Sequence, residues 1–292
     1  MIYAIQNEIL KVEISSLGAE LQSILDMRDG VEHLWQGDKN SWARRAPTLF
    51  PYCGRLRENQ YILNNRSFKS GIHGFARDFE HGMVKRDDNS ITFLFSDSED
   101  TMEKYPYHFR LYTIFRLEKE KLTQIFEVVN ISDCEMYFSI GYHTGYKLPF
   151  DKNHKSEDYS IVFEKEETPV EVVCNEDGLL SGEKRIFFER QNTIPIHDKL
   201  FNNDSFVLED LKSNYVSIVE KDSGRKIRVG IEGFPYTVFW STPEEVKFVC
   251  IEPWYGLPDM HDTDGDFRNK PGIQRLCKGE IFSCRQTIEI LK

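Results

Sequence analysis

The chain has 292 residues, 37 of them Lys or Arg and 48 Asp or Glu, for a formal net charge of −11. A polyanion repels phosphate backbones and anionic lipid headgroups, which disfavours a nucleic-acid or membrane-surface role. With 40% hydrophobic and 13% aromatic residues, the chain carries the apolar mass of a large core, and disorder over most of its length is excluded.

Residues 1–14 alternate polar and apolar side chains and include Glu8 and Glu13, unlike a basic leader followed by an apolar run, so a cytoplasmic protein is the expectation. No apolar run approaches the roughly 20 residues that span a bilayer. Residues 61–63 and 66–68 enclose Asn64-Asn65, whose side chains tolerate the positive φ of a type I′ hairpin turn. Period-two alternation predicts further hairpins at 79–85 with 90–95, 110–117 with 122–130, and 215–219 with 226–231 around Asp222-Ser223-Gly224. A short helix is expected over 98–104, with Ser98 as cap, an acidic first turn and Pro106 as stop. Single strands are expected at 136–143, 159–163, 184–188, 236–241, 248–252 and 281–290. The irregular stretches 37–58, 150–158, 178–204 and 253–270 are where function collects on a β scaffold. With no linker, repeat or block of like charge, residues 1–292 read as one all-β domain, a large antiparallel β-sandwich.

Cys53, Cys134, Cys174, Cys250, Cys277 and Cys284 form no C-x-x-C pair and are expected to be buried, reduced thiols. The nucleophile-elbow, zincin, phosphate-loop and dinucleotide-binding motifs are all absent. Asp262-Thr263-Asp264-Gly265-Asp266 lacks the ligand order of a calcium loop and reads as a solvated acidic loop. Asp259 with His261 is a weak metal pair, so no metal or cofactor is expected.

Four polar groups sit at or beside apolar strands. Glu252 follows four apolar residues, Phe248-Val249-Cys250-Ile251, and precedes Pro253-Trp254; partial desolvation of such a carboxylate raises its pKa toward general-base range. His143 ends the run 136–143, where Gly141 and Gly145 suggest close backbone approach, and an imidazole there can exchange protons near neutral pH. His73 is followed by Gly74 and preceded at two residues by Gly71, and Arg55 follows Gly54; the fork of a guanidinium suits sugar or acid oxygens. Each alone also fits an ordinary structural role, a salt bridge for Glu252, a core histidine for His143, or surface loops for the other two.

Taken together and in order, these segments resemble the aldose 1-epimerase (galactose mutarotase) family, and in particular its LacX-like branch. The resemblance runs from Gly18-Ala19-Glu20-Leu21 and Leu34-Trp35 through Leu49-Phe50-Pro51, Gly54-Arg55-Leu56 and His73-Gly74-Phe75-Ala76-Arg77-Asp78. It continues through Gly141-Tyr142-His143 and Glu252-Pro253-Trp254 to Gly272-Ile273-Gln274 and Gly279-Glu280. It implies a β-supersandwich and the interconversion of α and β sugar anomers without a cofactor. Glu252 would be the general base and His143 the general acid, with Arg55 and His73 holding the sugar. The substrate-holding Asp of the family would map to Asp204, with spacing one residue short, and Trp254, Tyr142 and Phe75 would stack on the sugar. Thr144 after the His, Gly54 before the Arg and Phe75 in place of a second Gly depart from galactose-specific members. Three other readings stay open beside it: a non-catalytic carbohydrate-binding sandwich, a mutarotase of a phosphorylated sugar drawing cations from Arg44, Arg45, Arg57 and Arg77, and a purely structural partner protein that binds no sugar.

Overall fold

Period-two alternation in the sequence becomes one-sided burial in the strands. In Lys121–Asn130 every second residue from Leu122 onward is buried, and Ser90–Ser96 follows the same rule, because successive side chains leave opposite faces of a pleated strand. A computed structural model describes all 292 residues. Its strands form antiparallel ladders in two large sheets. The nine-stranded sheet runs in the order Gln191–Pro195, Tyr159–Glu167, Tyr215–Glu220, Lys226–Gly230, Ile281–Leu291, Lys121–Asn130, Phe109–Glu118, Ser90–Ser96, Gly82–Arg86. The seven-stranded sheet runs Ile140–Gly141, Phe248–Tyr255, Tyr236–Trp240, Phe206–Glu209, Val170–Cys174, Leu180–Ile186, with Thr144–Lys147 also paired to Phe248–Tyr255. A four-stranded N-terminal sheet, Ile2–Gln6 to Val31–Glu32, and two small ribbons complete the fold.

One hydrophobic cluster joins the sheets. Phe93, Phe115, Ile218 and Ile288 of the nine-stranded sheet pack in it with Leu208, Phe239, Val249 and Ile251 of the seven-stranded one and with Val12 and Leu21 of the N-terminal sheet. The seven-stranded sheet is covered on its other face as well, so Phe248–Tyr255 is buried at every position but its last. That second face presents Val238, Trp240, Phe248, Cys250, Glu252 and Trp254. The candidate site lies on that face.

The hairpin at Asn64-Asn65 forms as expected, with φ of 50° and 60° at the two residues. Ser98 caps the helix Glu99–Met102 in a reciprocal box with Thr101. Three expectations change. The run 136–143 is not one strand: it breaks into Met136–Phe138 and Ile140–Gly141, which join different sheets. Within 178–204 the strand expected at 184–188 begins earlier, as Leu180–Ile186, and a further strand, Gln191–Pro195, lies at a sheet edge, where its polar, exposed sequence hid the alternation. Among the cysteines only Cys53, Cys250 and Cys284 are buried; Cys174 is intermediate and Cys134 and Cys277 are exposed.

Candidate active site

Two glycines make the site possible. Gly141 lies under Trp254, where an added Cβ would stand 2.5 Å from the indole Cδ1, and a Cβ on Gly145 would stand 2.8 Å from Trp42 Cζ3. Both are far inside van der Waals contact, so only glycine lets these tryptophans close over the backbone on either side of His143. The sequence expectation of close approach at Gly141 and Gly145 is met by two indole rings.

A cleft of about 310 Å³ opens on this face, and Arg55, His73, His143, Asp204 and Glu252 all line it. That volume is at the small end of the range for small-molecule sites. Glu252 is not at a strand end, as the sequence suggested, but inside Phe248–Tyr255 and 1% exposed. His143 occupies the break between Ile140–Gly141 and Thr144–Lys147, which pair with the same strand through Gly141 with Trp254 and Thr144 with Ile251. Its Nδ1 is 3.3 Å from Glu252 Oε1. The contact is within ion-pair reach but not aligned as a hydrogen bond, for Nδ1 of His143 and Oε2 of Glu252 have no hydrogen-bond partner in the protein.

Burial dominates the electrostatics. It pushes the Glu252 carboxyl well above the usual carboxylate range, with the Asp204 charge adding and the Trp254 indole N–H opposing. It holds His143 down to about 3, assisted by the charges of Arg77 and Arg44. Either group alone is costly to ionise, so the pair shares one proton over a wide pH range.

His73 has φ of +64°, a conformation uncommon for a side chain with a Cβ. Its backbone N–H donates to Gly54 O at 2.9 Å, and its Nδ1 accepts the Gly54 N–H at 3.0 Å. An accepting Nδ1 leaves the proton of the neutral ring on Nε2, and burial, then the charges of His143, Arg77 and Arg55, keep the ring neutral. His73 stands edge-on to His143 and Trp254, 5.3 and 5.5 Å between ring centres. The Arg55 side chain is exposed and pairs with no other group of the chain. Asp204 is exposed at the rim with φ of 74°.

The aromatic wall differs from the expectation. Trp254 lines the cleft, but Tyr142 turns inward, donating its hydroxyl toward Gln124 O and Cys284 O and stacking on Phe126 at 4.4 Å. Phe75 packs with Phe79, Phe95 and Tyr105 in a second core. The other walls are Trp42, stacked on His143 at 5.0 Å, and Trp240, edge-on to it at 5.7 Å. Trp42 lay in the irregular stretch 37–58 and Trp240 alternates with Val238 on its strand, so both carried a readable signal. Of the four arginines considered as anion holders, Arg77 lines the cleft and Arg44 sits beside it, paired with Asp78 at 2.5 Å. Arg45 is spent on Gln36 O and Gln22 O, and Arg57 on Thr263 O. Asp259 is held by Lys270 at 3.1 Å and His261 by Leu180 O, which removes them as a metal pair.

A two-sheet, antiparallel β scaffold thus holds a histidine against a buried carboxylate on a tryptophan-walled sheet face, beside a cleft of the size of a small-molecule site. The sequence model of the aldose 1-epimerase family matches residues 1–289, and the chain belongs to that family of isomerases, the sugar epimerases. Protein LacX of Lactococcus lactis subsp. lactis is 34% identical over 284 residues, 94% of this chain and 95% of that protein. A galactose mutarotase related enzyme from Lactobacillus acidophilus superposes with a TM-score of 0.96 at 33% identity, covering 100% of this chain and 98% of that one. A galactose mutarotase-like protein from Lactobacillus casei does so with a TM-score of 0.92 at 27% identity, covering 99% of each chain. In none of this chain's helices is there a stretch long and apolar enough to cross a membrane.

Proposed function

We propose that the protein is a mutarotase that exchanges the α and β anomers of an aldohexose or a related sugar, and that residues 1–292 work as one unit. The observation that carries this reading is the convergence of His143 and Glu252, 3.3 Å apart, with Arg55, His73 and Asp204 on one cleft. Glu252 as carboxylate takes the proton of the C1 hydroxyl while His143 as imidazolium protonates the ring oxygen. The C1 to O5 bond breaks, the open aldehyde turns about C1 to C2, and reversed transfers close the ring on the other face. Atoms and charge balance with no further reactant. Arg55, Asp204 and the Nε2–H of His73 hold the hydroxyls, and the indoles cover the apolar face of the sugar.

Polarimetry of freshly dissolved α-glucose and α-galactose tests it. The expected result is relaxation to the anomeric equilibrium far faster than in buffer; sugar binding with an unchanged rate would leave a carbohydrate-binding sandwich instead.

One observation favours an acidic sugar as substrate. Arg77 lines the cleft with its Nε buried and without a hydrogen bond, 4.0 Å from Asp78, and Arg44 beside it is paired with the same carboxylate; a phosphate beside them would compete with Asp78 for charge-assisted hydrogen bonds. Comparing each hexose with its 6-phosphate in the same assay decides between the two substrates, the acidic reading requiring a lower KM for the phosphate that Arg77→Gln removes.

A further inference from the structure

One side chain at the site has no part in the proposed chemistry. Cys250 precedes Glu252 by two residues on Phe248–Tyr255 and so shares its face. Its sulfur, a carboxylate oxygen of Glu252 and a ring nitrogen of His143 lie within 4.8 Å of one another, all three residues buried. Nδ1 of His143 and Oε2 of Glu252 are unpartnered, and Cys250 is a free thiol.

We propose that His143, Cys250 and Glu252 form a three-ligand site for a borderline-soft divalent cation such as Zn²⁺, and that its occupancy switches off the acid–base pair. Imidazole nitrogen, thiolate sulfur and carboxylate oxygen are the donor types zinc takes, and three protein ligands with a fourth position open to the cleft match an accessible zinc site. Bonds of about 2.0–2.3 Å place tetrahedral ligands about 3.3–3.8 Å apart; the His143 and Glu252 atoms are already at 3.3 Å. Charge decides the matter further. One thiolate and one carboxylate neutralise the ion and the imidazole stays neutral, so the assembled complex escapes the penalty that burial imposes on each ion alone. The thiol proton and the proton shared by His143 and Glu252 pass to solvent, two protons per ion. Trp42, Trp240 and Phe248 wall the cluster, while His143 and Glu252 give it an entrance. The other compact donor cluster, Asp151 with His154 and Glu220, has its cation already: the Arg225 guanidinium is 2.7 Å from Glu220 Oε1.

Binding stands on the geometry alone, whereas inhibition rests on the mutarotase reading. The experiment uses the full chain with the exposed thiols removed, Cys134→Ser with Cys277→Ser. Calorimetry with zinc chloride in two buffers of different ionisation enthalpy is expected to give one ion per chain and about two protons released. Cys250→Ser is expected to weaken binding at least about 100-fold and to abolish the ultraviolet thiolate-to-metal band that Cd²⁺ produces; Cys250→Ala replaces it if serine disturbs the packing. Zinc is expected to stop mutarotation reversibly, and the Cys250 variant to run at the parent rate and resist zinc. Equal zinc affinity with and without Cys250 overturns the site, and tight binding with undiminished mutarotation overturns the switch. A metal-free protein that does not mutarotate overturns the acid–base reading, and calorimetry still decides the cation site.

Discussion

His143 Nδ1 and Glu252 Oε1 stand 3.3 Å apart on the floor of a cleft walled by Trp42, Trp240 and Trp254, and burial moves their pKa values in opposite directions. A raised pKa makes the carboxylate a stronger base, and a lowered one makes the imidazolium a stronger acid. The charged arrangement that the proposed mechanism requires for ring opening is therefore the one that burial disfavours, and proton transfer to and from a sugar would relieve it. Glu252→Gln and His143→Asn are each expected to slow anomer exchange about 10²- to 10⁴-fold with the fold intact. Polarimetry alongside circular dichroism checks this, and parent-like rates in both variants would remove the assignment.

The same coupling sets the pH response. Independent groups at their ordinary values, 4.5 for the acid and 6.5 for the histidine, would coexist as carboxylate and imidazolium only between those limits. In the coupled pair a second proton binds only as pH falls toward about 3, and the shared one leaves only above the raised value of Glu252. The turnover number is thus expected to be flat from mildly acidic through neutral pH, falling at both extremes. A bell centred between 4.5 and 6.5 in stopped-flow polarimetry would contradict the shared proton.

What the sequence disclosed and what it withheld divide along physical lines. Local rules sufficed for the Asn64-Asn65 turn, the Ser98 cap and the alternating strands of the nine-stranded sheet, because turn chemistry and one-sided burial are written in neighbouring residues. Gln191–Pro195 escaped because an exposed edge strand need not alternate. The five candidate site residues were readable only as an ordered set of motifs. Their meeting in one cleft depends on ladders between segments more than a hundred residues apart, such as Gly141 with Trp254. Tyr142 and Phe75 misled because a buried aromatic in a motif has the same composition whichever way it faces.

Gly178 offers a test of Arg55 that leaves the guanidinium in place. It lies in the turn between Val170–Cys174 and Leu180–Ile186 with φ of +69°, and an added Cβ would stand 2.8 Å from Arg55 Nε. The arginine, being long and exposed, must swing away. Gly178→Ala is expected to raise the KM for sugar several-fold while kcat changes less, at a stability cost of about 1 kcal/mol for the left-handed backbone. An unchanged KM would mean that Arg55 does not hold the substrate.

Glu220, fully buried, is held by Arg225 and accepts from Tyr159 at 2.6 Å and Ser223; despite burial these partners keep its carboxyl down to about 2. Removing the cation strands a buried charge. Arg225→Ala is expected to cost about 3–5 kcal/mol in urea unfolding and to free the 150–158 loop through the lost contact with Asp151, without changing sugar affinity. A loss under 1 kcal/mol would place the stabilisation in the Tyr159 hydrogen bond instead.

His33 and His81 make the fold sensitive to mild acid. Burial holds both down to about 4 from the ordinary 6.5; His33 packs edge-on to Phe150, and His81 stacks on Phe95. Above 6.5 neither state binds the proton and the full stabilisation is present. As pH falls from 6.5 toward 4 the unfolded chain takes up protons that the folded chain refuses, so stability declines, by on the order of 3 kcal/mol per histidine at the lower limit. His154, partly buried and raised by Asp151, acts in the opposite sense and more weakly. Glu220 adds to the decline only at the acid end of this window, because its own loss begins as pH falls through 4.5. Urea unfolding at stepped pH is expected to show the uptake of about two protons by these imidazoles, with His73 and His143 adding one each and Glu252, protonated first in the folded chain, offsetting one, and a midpoint insensitive to pH across this interval would mean that these imidazoles are hydrated in the folded protein.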